Sequence, residues 1–376
     1  MTTGPTILIA GLGDLGGVCL ELLARERWPG RIVAGSRHLA RTGARVNLAR
    51  LGAMAQGYRP SIEAVSLDLD DEDATAELLD RLSPDIVLTT AARQSWWTPE
   101  QLPPAPRAKL AAAGFGVWLP IHLVLSLKLM RAVRAAGSAT RVLIAPFPDV
   151  ANCVLARLGL EPTAGVGNLD EIVPKIASLA AARLGVAVDA VDVSLVAHHA
   201  LETHVFEPTA GPMPPYFLRI VYAGTDVTGT VDGDALLRHP YPLPPGPAIH
   251  FLTSGSAVRL MRALVDADTR LHAPGPEGLP GGYPVLAGPG GVRVAPIDGL
   301  SREAAIDINE RSHAFDGIEA IEADGTVVFR PEPAGIMARE LGYRCDRLPP
   351  SEIAPRADEL LTRFRAYADR YGNGVD

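Results

Sequence analysis

Short apolar runs alternate with amphipathic stretches along the first 150 residues. TILIA (6–10) is continuously apolar, as suits a strand buried on both faces of a parallel sheet. DLGGVCLELLARERW follows with apolar residues at 15, 18, 19, 22 and 23, the spacing of a helix with one buried face. RIVAGSR (31–37) reads as a second strand and RTGARVNLARLGAMA as a helix. IEAVSLDL (62–69), the helix DEDATAELLDRL and DIVLTTAA (85–92) continue the series. A long helix, LPIHLVLSLKLMRAVRAAG, leads to the strand RVLIAP (141–146). This alternation predicts an α/β domain over 1–150 with a doubly wound parallel sheet.

The alternation breaks at RQSWWTPEQLPPAPRAKL, directly after the fourth strand. Ligands bind at that carboxyl edge, and two adjacent tryptophans are costly to leave in water, so the stretch reads as an active-site lid. Beyond residue 150, helical stretches at 151–159 and 169–184 precede the strand AVDVSLVAHH. A strand-rich segment (216–230), a helix (254–267), the hairpin YPVLAGPGGVRVAPI and a helix (301–313) follow. Residues 151–330 therefore read as an α+β domain, and 331–376 as a helical extension.

Composition narrows the picture. With 47% hydrophobic residues the chain is ordinary for a globular protein, and a formal charge of −8 speaks against a nucleic-acid partner. Cys19, Cys153 and Cys345 are too few and too scattered for a disulfide framework, which suggests a reducing, cytoplasmic setting. No segment reads as a signal peptide or a membrane span, so no membrane partner is expected.

The first strand runs into GLGDLG, which carries chemistry. Gly11 permits a tight turn, Gly13 lets the backbone approach a pyrophosphate, and Gly16 allows helix and strand to pack closely. With Leu12, Asp14 and Leu15 they form the phosphate-facing turn of a Rossmann domain. A site for NAD normally has Asp or Glu at the end of the second strand. Ser36, Arg37 and His38 stand there instead, with Arg41 beyond, so NADP(H) is the expected cofactor and NAD(H) the lesser one. Thr90 and Ala91, after the fourth strand, complete the predicted cofactor surface.

VGNLDEIVPKIASLAAARLGVAVDAVDVSLVAHHALETHVF (166–206) holds a carboxylate at a helix start and a strand that ends in two histidines. Here the chain resembles the lactate/malate dehydrogenase family, over most of residues 6–325. The resemblance implies that His199 is the acid/base, with His198 as the alternative one residue away, and that Asp170 is its carboxylate partner. It implies that Arg93 polarises the carbonyl and that Thr253 lines the substrate pocket, in a dimer or tetramer. An imidazole braced by a carboxylate suits the proton transfer that accompanies hydride transfer.

Departures from the family pattern bear on the substrate. The family's carboxylate-clamping arginine falls at Val173, and its Asn-Pro-x-Asp becomes Pro146-Phe147-Pro148-Asp149. Loss of the arginine removes bidentate carboxylate recognition. With Trp96 and Trp97 in the lid, the expected substrate is a bulkier, less charged carbonyl compound than a simple 2-keto acid. A short-chain reductase is excluded, because Lys109, Lys128 and Lys175 all lack a tyrosine four residues earlier. No metal is expected, since His198 and His199 as adjacent strand residues would face opposite sides. A saccharopine-reductase-like or opine-type enzyme acting on C=N, and an inactive dinucleotide-binding sensor, remain the alternatives.

Overall fold

In the computed structural model, which describes residues 4–206 and 212–372, the first apolar runs assemble into one six-stranded parallel sheet. β1 (Thr6–Ala10) turns through glycines into α1 (Asp14–Leu23). β2 (Arg31–Ser36), α2 (Leu39–Ala55), β3 (Ile62–Ser66), α3 (Glu72–Leu82) and β4 (Ile86–Thr89) follow. The tryptophan-bearing stretch contains α4 (Pro104–Ala111) and leads to α5 (Leu119–Ala135). β5 (Arg141–Ile144), α6 (Pro148–Arg157) and the short β6 (Ala164–Gly165) complete the sheet. Its order is β3-β2-β1-β4-β5-β6, with Ala10 paired to both Gly35 and Thr89. The order reverses between β1 and β4, and the crevice outside their carboxyl ends is where a ligand fits.

The second region begins with α7 (Leu169–Leu184) and the antiparallel strands β7 (Val191–Val196), β8 (Phe217–Tyr222) and β9 (Thr225–Asp226). After α8 (Gly233–Arg238) and α9 (His250–Ala263), β10 (Thr269–Pro274), β11 (Gly282–Gly288) and β12 (Gly291–Val294) form another antiparallel sheet. α10 (Arg302–Ser312) closes the region.

Two expected borders fall differently. β6 extends the first sheet past residue 150. A third small sheet straddles residue 330: β13 (Ile318–Ile321) and β14 (Val327–Phe329) precede α11 (Pro331–Leu341), and β15 (Arg347–Leu348) follows it. The sequence pattern shows the helices here but not these strands, which are two to four residues long. The last helix, α12 (Ile353–Asp369), packs on α5, with Phe364 edge-on to Trp118 at 5.3 Å between ring centres. The tail thus belongs to the core beside the first sheet rather than extending from it.

One segment corrects the expectation that no stretch is long and apolar enough to read as a membrane span. Gly116–Ala135 is long and apolar enough to cross a membrane, but most of it is buried inside the fold. A helix covered on both sides is apolar all round for that reason alone. Cys19, Cys153 and Cys345 are all buried and unpaired.

Candidate functional site

One cleft of about 930 Å³ runs along the carboxyl ends of β1, β2 and β4 and on under the lid to His199. At its outer end the glycine turn has the geometry a pyrophosphate needs. Gly11 has φ +101°, open only to glycine at low cost, and its N–H donates to the Gly35 carbonyl. A side chain on Gly13 would meet nothing within 4 Å, so the space before α1 is free. One on Gly16 would strike the Gly11 carbonyl at 2.2 Å and Thr90 Oγ1 at 2.7 Å. Gly16 therefore shapes the turn without lining the cleft. Leu12, Asp14 and Leu15 line it beside Gly11 and Gly13, as do Thr90 and Ala91. Ser36, Arg37, His38 and Arg41 line the far end, next to Asp68. These residues fit a nicotinamide dinucleotide.

The inner end is built on His199. β7 stops at Val196, and His199 opens a 3-10 turn that runs to His204. His198 precedes this turn, with its Nδ1 3.3 Å from the Ala200 nitrogen and 3.1 Å from Asp316 Oδ2, and is fully buried. His199 is the one that reaches the cleft. Phe147 and Phe115 hold its ring edge-on at 4.8 and 5.3 Å. Phe147 (φ +50°) and Asn168 (φ +50°) both sit in backbone conformations that cost a non-glycine residue energy, as often occurs beside functional groups.

The carboxylate on His199 is Asp316, not Asp170. His199 Nε2 lies 2.7 Å from Asp316 Oδ2, and His198 Nδ1 lies 3.1 Å from the same oxygen. Burial works to raise Asp316, but the two histidines pull it well below the ordinary carboxylate range. Burial alone would lower His199; Asp316 and then Asp149 outweigh it and raise it. Asp149 also accepts from the His199 backbone N–H at 3.1 Å and from the Asn168 amide.

Asp170 is misassigned because the start of α7 is turned relative to the expected face. With Asn168 at φ +50°, ψ −114°, the side chains that enter the cleft are Asn168 and Glu171, one helical turn apart. Asp170 faces Arg259 (3.5 Å), Ser256 and the His272 backbone instead. Val173 packs with the apolar cluster under β7 and β8 and does not line the cleft. Glu171 contacts Thr253 and Glu202, and all three line the cleft. Burial pushes Glu171 up to about 7, and burial with Glu171 and Asp149 nearby pushes Glu202 well above the usual range.

Arg93 does not reach the carbonyl position. Its two terminal nitrogens donate to Asp70 at 2.5 and 2.6 Å, and Lys128 joins that carboxylate at 2.6 Å. A bidentate pair of this kind holds the guanidinium in place. In the lid, Trp96 lines the cleft and donates from Nε1 to His250 Nε2 at 2.9 Å, whereas Trp97 does not line it.

The expectation of no metal rested on strand alternation, which ends before these histidines. His198, His199 and Asp316 bring ligand-type atoms within 4.8 Å of one another, a spacing a metal ion could bridge. Asp316, Glu171 and Glu202 escaped the sequence reading altogether. Asp316 stands in HAFDG with no local signal, and it reaches His199 only through tertiary packing.

Solved structures of lactate and malate dehydrogenases share this architecture. Lactate dehydrogenase from Eimeria maxima, solved with NADH and oxamate, is 13% identical with TM-score 0.57 over 84% of this chain and 92% of that one. Malate dehydrogenase from Plasmodium falciparum gives 14% identity and TM-score 0.55, covering 82% and 95%. Malate dehydrogenase from Salinibacter ruber gives 17% and 0.51, covering 82% and 95%. The chain shares their fold. No protein-family model and no curated protein matches the sequence.

Proposed function

We propose that this protein is an oxidoreductase that interconverts a carbonyl and an alcohol with a nicotinamide dinucleotide, NADP(H) in preference to NAD(H). The observation that carries the reading is the single cleft joining the Gly11–Gly13 turn to the buried His199–Asp316 pair. The fold shared with lactate and malate dehydrogenases supports it.

The cofactor supplies or accepts the hydride when bound. Gly11, Gly13 and the first N–H groups of α1 would hold its pyrophosphate, and Arg37 and Arg41 a 2′-phosphate. In the reducing direction His199, protonated, gives its proton to the carbonyl oxygen. With Nε2 against Asp316, Nδ1 is the nitrogen left for this exchange. Asp316 orients the ring and stabilises the imidazolium. Phe115, Phe147 and Trp96 exclude water around the reacting carbon.

Replacing His199 with Asn tests the assignment. Turnover should fall about 10²- to 10⁴-fold, the range for loss of a general acid, while NADPH affinity measured by fluorescence titration stays unchanged. Undiminished turnover would remove His199 from the chemistry.

A further inference from the structure

The inner end of the cleft is rich in carboxyl groups. Glu171 and Glu202 line it side by side, close enough to share a proton between their carboxyl groups. Asp149 and Asp316 line it too, 1% and 3% exposed. Among the described residues, the cleft wall holds Arg37 and Arg41 at the cofactor end and Arg107 in the lid, and no lysine. The nearest cations on the neighbouring helices are committed elsewhere. Lys175 donates to the carbonyls of Leu237 (2.7 Å) and Val205, and Arg259 faces Asp170.

A second observation points the same way. Asp149 Oδ2 and Glu202 Oε1 are both buried without a hydrogen-bond partner. Buried acceptors of this kind call for donors, since leaving them unpaired is costly. Asp316 Oδ2 forms an ion pair with His199 Nε2 at 2.7 Å without hydrogen-bond geometry, and Asp149 Oδ1 accepts from Asn168 and the His199 backbone N–H.

We propose that Glu171 and Glu202 anchor a protonated nitrogen of the substrate, so that the compound reacting beside His199 is an amino alcohol or amino carbonyl rather than a hydroxy acid. An ammonium group brings donors and no acceptor, which is what these oxygens lack. Glu171 and Glu202 share a proton, so the pair offers a cation one negative charge rather than two, and a carboxylate in the same place would meet that charge. The inference rests on the oxidoreductase reading and names its substrate class.

The test uses the full chain with NADP⁺ and three secondary alcohols that differ in one substituent: isopropanolamine, propylene glycol and lactate. Initial rates of oxidation are measured, and binding to the NADP⁺-loaded protein is measured separately by calorimetry. Expected is a kcat/KM for the amine about tenfold above the diol and about a hundredfold above lactate. Glu171→Gln and Glu202→Gln, each checked by circular dichroism and NADPH affinity, should bring amine and diol within about threefold. If one variant does not fold, the other carries the comparison. Selective amine binding without oxidation of any of the three would sink the oxidoreductase reading and leave the anchor standing. Oxidation that favours diol or lactate would overturn the anchor and leave the oxidoreductase. An amine preference unchanged in both variants would overturn it as well. So would tight Zn²⁺ binding, lost in both variants, with no selectivity for the amine.

Discussion

His199 and Asp316 act on each other's protonation, and this makes a prediction about pH. Asp316 raises His199, so the acid form needed for reduction persists to higher pH than for a free imidazole. In Asp316→Asn the decline of kcat/KM for reduction should begin at lower pH than in the wild type. Asp170→Asn should leave that profile where it is, because its carboxylate faces Arg259. A shift in the second variant and not the first would restore the sequence assignment. Arg37 allows another test at this scale. Arg37→Ala should weaken NADPH about tenfold or more and NADH little, a difference read from paired fluorescence titrations. A parallel loss for both would mean that Arg37 does not bind the 2′-phosphate.

At the scale of elements, what matters is how closely α1 approaches the sheet. Gly16 lies where a Cβ would overlap the Gly11 carbonyl and Thr90, neither of them a flexible chain end. Gly16→Ala should therefore push α1 off the β1 turn, at a cost of about 1–3 kcal/mol in unfolding free energy. It should also weaken NADPH binding; an unchanged melting curve and titration would show that the helix shifts freely. α7 shows the opposite kind of dependence. Its span, 169–184, is readable from apolar spacing, yet the face it turns to the cleft depends on one unusual backbone angle at Asn168. A helix viewed as a pattern has no absolute rotation. For that reason Asp170 and Val173 looked like the site, and Asn168 and Glu171 are the residues found there.

Over the whole molecule, the tail closes the structure around α5. Phe364→Ala removes a fully buried ring against Trp118 and should cost about 3–5 kcal/mol, read as a large fall in the denaturation midpoint. A shift of only a degree or so would mean that α12 is docked loosely. The same closure brings the β13 segment to the cleft, where Gly116 lies so close to the Asp316 carbonyl that a Cβ would sit at 2.5 Å. Asp316 thus depends on the lid end and the tail packing together.

The sequence by itself determined whatever depends on neighbours along the chain. The strand–helix alternation, the glycine turn with its conformational demands, the cationic end of β2 and the helical tail all rest on local periodicity or backbone freedom. Only the tertiary structure decided the rest. It took the histidine's acid from a segment beyond α10, locked Arg93 onto Asp70, rotated α7 to bring Glu171 inward and set two carboxyl groups face to face. Those outcomes follow from the packing of apolar faces, which carries polar groups to partners that spacing along the chain does not encode.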